Sequence, residues 1–248
     1  MTLEYKNLSI IGTSHIAIQS INEVKKAISK KPDIVAVELD NNRLSAISKK
    51  GRTKLRLKDI LRIGVVGFAF AIAGSWAQRK LGKLVGVDPG TEMITAVRLA
   101  KKHKLEIALI DQDITITLAR LSRAVTWKEK LRVPYDMIKT LLFQKKEMKR
   151  LGIENFDLSK VPERKLIRVL TKELKDKYPN VYKVLVVERN IYMAKRLDSL
   201  VHKNPNKNIL AVVGAGHEEE LLGLVKYLEG KQTISYQFSI TDGNQINK

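Results

Sequence analysis

The chain has 248 residues, 44% of them apolar, which is enough for a sizeable core in one α/β unit. It contains no cysteine, and this excludes disulfides, thiolate metal sites and cysteine nucleophiles. Its 46 lysines and arginines against 26 acidic residues give a formal charge of +20, which predicts attraction to polyanions, whether nucleic acid, anionic lipid or acidic polypeptide.

Met1–Lys6 lead directly into a strand with no signal peptide. Together with the missing cysteines this predicts a cytoplasmic chain. The apolar run Leu8–Ile11 reads as a strand ending in Gly12-Thr13-Ser14-His15. An amphipathic helix is expected over Ser20–Lys30, with Ile21, Val24 and Ile28 on one face and a capping box from Ser20 to Glu23. A second strand, Ile34–Leu39, ends in Glu38-Leu39-Asp40 and is followed by a strongly basic stretch, Asn42–Arg62. Residues 63–77 carry no charge. They are short for a bilayer span of ~20 apolar residues, and Gly64, Gly67, Ala71 and Gly74 form a small-residue face suited to helix packing. This segment is expected to be a buried hairpin or core helix, or else to support membrane contact or a homodimer. A helix over Glu92–His103 and a strand over Glu106–Ile110 come next, the strand leading to Asp111-Gln112-Asp113. Residues 115–177 read as helices only, broken near Pro134 and Pro162. Pro179 opens a further helix through Leu200, and the strand Ile209–Val213 delivers Gly214-Ala215-Gly216-His217. The helix Glu219–Leu228 and a closing strand over Thr233–Thr241 complete the chain.

Strand–helix–strand order at both ends argues for an α/β fold with a central mixed, mostly parallel sheet and flanking helices. It is expected to be a single domain over 1–248 with a helical lobe at about 115–177. The two Gly-x-x-His elements stand out because the chain has only four histidines. Residues just past the carboxyl ends of parallel strands line the ligand crevice of such folds. Gly12, Thr13, Gly214 and Gly216 are therefore candidate substrate-binding positions. Glu38 and Asp111 occupy the same position after two other strands, and Glu188 and Arg189 are charges set in an apolar helix. A structural ion pair with Arg43 is the alternative role for Glu38, and a helix or loop cap is the alternative for Asp111. His103, at a lysine-rich helix end, and His202, expected in a surface loop, lack the strand–glycine context.

Gly12-Thr13-Ser14-His15, Val37-Glu38-Leu39-Asp40 with Arg43, Gly86–Met93, Leu109–Asp113, Glu188-Arg189-Asn190 with Tyr192-Met193-Ala194, and Val213–His217 together resemble the TraB/PrgY family. The family is grouped with the GumN and TIKI proteins and more remotely with erythromycin esterase-like and ChaN-like proteins. The resemblance implies that fold, and it implies peptide as the substrate class: relatives are linked to shutdown of peptide pheromone activity and to metal-dependent proteolysis. Many prokaryotic relatives continue beyond the second histidine into a hydrophobic membrane region. This sequence ends at Lys248 after a polar tail, as expected of either a natural soluble form or a chain lacking that region.

The residue types also carry a chemistry of their own. Two imidazoles and a carboxylate are a common ligand set for a catalytic divalent cation, and His15, His217 and Glu38 would supply it. Manganese, cobalt and zinc all suit a site without thiolate. A carboxylate would act as general base, with Glu38, Glu92, Asp111 and Glu188 as candidates. Arg43 or Arg189 would stabilise the developing oxyanion. Two other readings use the same residues: metal-free hydrolysis by a histidine–glutamate pair, and a non-catalytic ligand- or polyanion-binding scaffold. Nucleic acid is not the expected partner, since no recognisable binding motif occurs and aromatics are only 6%.

Overall fold

The computed structural model describes residues 2–13, 18–48, 59–85, 90–142, 149 and 164–243. The basic stretch 49–58, Pro162 and His15 lie outside the described residues.

Five strands form one sheet: β1 (Thr2–Tyr5), β2 (Leu8–Thr13), β3 (Ile34–Val37), β4 (Glu106–Leu109) and β5 (Ile209–Gly214), in the order β1-β2-β5-β3-β4. Only β1 runs antiparallel, forming a hairpin with β2. The other neighbours are parallel. The mixed, mostly parallel sheet expected from the sequence is therefore present. Every residue of β3 and β5 is buried, as their unbroken apolar runs require of strands covered on both faces.

Helices α1 (Ile18–Ser29), α2 (Asn41–Ser48), α3 (Asp59–Val85), α4 (Thr91–Lys102), α5 (Ile114–Ala124), α6 (Trp127–Leu142), α7 (Arg164–Lys177), α8 (Pro179–Tyr182), α9 (Arg189–Lys203) and α10 (Glu218–Gly243) are described. A π-helical segment, Lys183–Glu188, joins α8 to α9. Alternate residues of each strand divide between two cores. Ile11, Val35, Val37 and Val212 meet Val24 and Ile28 of α1 and Met93 and Val97 of α4. Ile10, Ala36, Ala211 and Val213 meet Met193 and Leu197 of α9 and Leu221 and Val225 of α10. A third cluster joins Val66 and Phe70 of α3, Leu121 of α5, Leu174 of α7 and Val184 of the π segment.

The uncharged segment 63–77 lies within α3, which packs on α5 through its small residues. A methyl at Gly67 would fall far inside contact distance of the Leu118 carbonyl oxygen. Gly64 bends the chain at φ 73° beside Ser122. Leu61, Val65 and Ile72 remain exposed. No helix among the described residues is long and apolar enough to cross a membrane.

The structure departs locally from the expectations. Helix α1 already includes Ile18, so Ser20 sits within its first turns and is buried instead of capping it. Strand β3 stops at Val37, because the Leu39 N–H turns back to donate to the Val37 carbonyl at 2.7 Å. Pro134 does not end a helix. Helix α6 runs across it, since one proline removes a single backbone hydrogen bond from a long helix. His202 lies in the last turn of α9, where its Nδ1–H donates to the Asp198 carbonyl at 2.9 Å. Residues 233–241 continue helix α10 and form no closing strand.

Candidate functional site

The carboxyl ends of β2, β5, β3 and β4 lie side by side, and polar residues that follow β3, β4 and β5 converge there. Glu38 is the first residue after β3. Its N–H still bonds to the Val212 carbonyl at 3.1 Å, while the turn centred on it ends the strand. Its side chain is 3% exposed and both oxygens are held: Oε2 accepts from the Gly214 N–H at 2.7 Å, and Oε1 accepts from Arg189 Nη2. Burying a carboxylate is costly unless it is paired, and these contacts supply the pairing.

Arg189 binds Asp111 as a fork, with Nε 3.0 Å from Oδ1 and Nη2 2.8 Å from Oδ2, and its Nη1 donates to the Leu185 carbonyl at 3.2 Å. Burial alone pulls the Arg189 pKa down. The charges of Glu38 and Asp111 and their hydrogen bonds outweigh it, so the net shift is upward. Asp111 also accepts from Arg43 Nη1 at 2.7 Å and from the Gln112 N–H at 2.8 Å. Four donors thus occupy Asp111, which holds two arginines in place. Helix capping falls instead to Asp113, on the Thr115 N–H of α5, and to Asp40, on the Asn42 and Arg43 N–H groups of α2.

His217 follows β5 by three residues. Its Nε2 is 3.6 Å from Glu38 Oε1, and its Nδ1 is 2.5 Å from Asn190 Oδ1. Asn190 is fully buried, and its Nδ2 donates to Glu220 Oε2 at 2.9 Å. Because Glu220 needs a donor, the amide must turn its oxygen to His217, and Nδ1 of the ring then carries the proton. Nε2 is left as the ring nitrogen that faces Glu38.

The remaining candidates divide. Thr13 Oγ1 donates to the Val213 carbonyl at 3.0 Å, tying β2 to β5. Gly12 is covered by the buried Glu218, whose carboxylate fills the space a side chain would need. Gly216 is exposed in the turn before α10. Glu92 is buried in the first turn of α4. Glu188 faces away from this group and pairs with Arg120 of α5 at 2.8 and 3.2 Å. The local ion pair of Glu38 with Arg43 does not form among the described residues: Glu38 binds Arg189, 151 residues away, and Arg43 binds Asp111.

Asn190, Glu218 and Glu220 were not legible as site residues. Successive residues of an α-helix point about 100° apart, so Arg189 and Asn190 do not suggest a shared site. Here Arg189 reaches β3 and β4 while Asn190 reaches the loop after β5, directly after a π turn of the kind often found at functional sites. The signal available for Glu218 and Glu220 was the run of three glutamates opening a helix, where the helix dipole favours negative charge.

No group of three or more histidine and acidic side chains suited to holding a metal occurs among the described residues, which do not include His15.

The chain is similar to an uncharacterized protein of Methanocaldococcus jannaschii, 38% identical over 92% of this chain and 55% of the relative. It is also similar to TraB domain-containing proteins of Bos taurus (25% identical) and Homo sapiens (24% identical), each over 84% of this chain. The chain thus spans 55 to 60% of the length of these curated relatives. The family model of the TraB/PrgY/gumN family matches residues 2–233, and the chain belongs to that family.

Proposed function

We propose that the crevice at the carboxyl ends of β2, β5, β3 and β4 is the centre of a metal-dependent hydrolase acting on peptides. The observation that carries the reading is His217: Asn190 takes its Nδ1–H, and Nε2 faces a buried carboxylate 3.6 Å away. A carbonyl on the far ring nitrogen is how proteins orient a metal-binding histidine. The donors fit a cation as well: bonds of about 2.0–2.2 Å to one ion place its ligand atoms roughly 3–3.5 Å apart.

His217 Nε2 and Glu38 Oε1 would hold a divalent ion, with His15, two residues beyond β2, as the third ligand named by its sequence context. Such an ion supplies, when bound, a water of lowered pKa and a polarised peptide carbonyl. Arg189 pairs with Glu38 and fixes it, and Asp111 fixes Arg189 in turn. Glu92, a buried carboxylate in the first turn of α4, would take the proton of the attacking water, the role its sequence context suggests. Hydrolysis would place the water oxygen on the acyl carbon and its proton on the departing amine. Peptide as the substrate follows from the family resemblance.

Elemental analysis of the wild type beside the His15→Ala/His217→Ala variant, each supplied with manganese, cobalt or zinc, tests the site. Near-stoichiometric metal is expected in the wild type and none in the variant. Asn190→Ala is expected to weaken cation affinity about 10–100-fold. Equal, negligible metal in both proteins overturns the metal site. Peptide cleavage surviving that result would transfer the chemistry to direct activation of water by His217 and Glu38.

A further inference from the structure

We propose that Arg43 is the substrate-recognition group of this crevice and takes the terminal carboxylate of a peptide. The inference rests on the hydrolase reading for its substrate class, but on independent geometry for its site. Two guanidinium groups meet Asp111, and they differ in what remains to them. Arg189 is 16% exposed and directs all three of its nitrogens at protein oxygens, those of Glu38, Asp111 and Leu185. It has no edge to offer a ligand. Arg43 is 33% exposed and uses only Nη1, on Asp111. Among the described residues no acceptor meets its Nε or Nη2. These two donors form one edge of the fork, the edge that binds a carboxylate through two parallel hydrogen bonds.

The support of Arg43 is rigid. Its backbone N–H donates to Asp40 Oδ1 at 3.0 Å in the first turn of α2, and Asp111, 1% exposed, holds the guanidinium from behind at 2.7 Å. A preorganised arginine loses little freedom when it binds. Glu38 and Asp111 are balanced one for one by Arg189 and Arg43, so these four groups set no net negative charge against a second carboxylate. The chain's net charge of +20 draws anions toward it from a distance. Peptides with a free carboxyl end are therefore favoured over amidated ones and over internal segments of folded proteins.

The test is calorimetric titration of chelator-treated protein with trialanine and with trialanine amide, using wild type, Arg43→Gln and Arg43→Lys. Removing bound metal keeps cleavage out of the measurement. The wild type is expected to bind the acid at least about tenfold more tightly than the amide, the size of one charge-assisted fork. Arg43→Gln should bring the acid down to the affinity of the amide, while Arg43→Lys, which keeps the charge without the fork, should fall between. Arg189 still holds Asp111 in both variants, and circular dichroism spectra matching the wild type check that they fold. Equal affinities in the wild type, no binding of either peptide, or a preference unchanged in Arg43→Gln overturns the proposal. Hydrolysis of trialanine by the metal-supplied wild type is read separately. Arg43-dependent binding without cleavage would sink the hydrolase reading and leave the carboxylate site standing, whereas cleavage indifferent to the terminal group would do the reverse.

Discussion

Replacing Arg189 with methionine removes the one cation shared by Glu38 and Asp111, whose side chains are 3% and 1% exposed. Methionine fills much of the same volume, so the loss is chiefly electrostatic. Three hydrogen bonds to carboxylate oxygens and one to a carbonyl disappear. Asp111 keeps Arg43 and the Gln112 N–H, while Glu38 keeps only the Gly214 N–H among these partners. Breaking a buried pair by removing one member costs about 3–5 kcal/mol, because the other charge stays buried. At about 2–4 °C per kcal/mol for a chain of this size, the thermal midpoint should fall by roughly 10 °C. Urea titrations of wild type, Arg189→Met, Glu38→Gln and the double variant form the cycle. The double variant should be less destabilised than the two single losses combined, with a coupling of about 1.5–3 kcal/mol. A deficit below about 1 kcal/mol would refute the pairing of Glu38 and Arg189 as the core of this site.

Glu129 closes a capping box at the start of α6, accepting from the N–H and hydroxyl of Thr126 and from the N–H and side-chain amide of Asn180. Burial pushes its pKa up, but these four donors outweigh burial and hold it below the ordinary carboxylate value. Its contribution is complete above the unfolded value of about 4.3 and is lost as pH falls through the lower folded value. Glu129→Gln should thus lower stability by about 1–3 kcal/mol at pH 7, with the gap to wild type closing in acid denaturation series. Gly67→Ala sets a methyl against the Leu118 carbonyl and should force α3 away from α5, at about 1–3 kcal/mol, read by chemical denaturation. A neutral result there would show that α3 and α5 are not in close contact.

Much of the fold was legible locally. The unbroken apolar runs Ile34–Val37 and Ile209–Val213 had to be strands buried on both faces. The same apolar runs set Glu38, Asp111 and His217 at carboxyl ends of strands, and parallel strands bring such ends to one edge. The small-residue face of 63–77 likewise announced a close helix contact. Local pattern misled where it was short. The alternation in Thr233–Thr241 suggested a strand, yet those residues continue the helix that opens at Glu218 and join no strand of the sheet.

Which charges meet was decided by the tertiary structure alone. Spacing within the sequence offers Glu38 the nearby Arg43. Burial reverses the choice: Arg189, delivered from the far side of the sheet, can be buried beside Glu38, while Arg43 starts a helix at the rim and reaches only Asp111. The sheet order that sets β5 between β2 and β3 brings Gly214 and His217 to Glu38, and the turn into α9 brings Asn190 to His217. Residue types and strand ends are properties of short stretches of chain. Partners 27 to 176 residues apart depend on the order in which strands assemble, and no local spacing records that order.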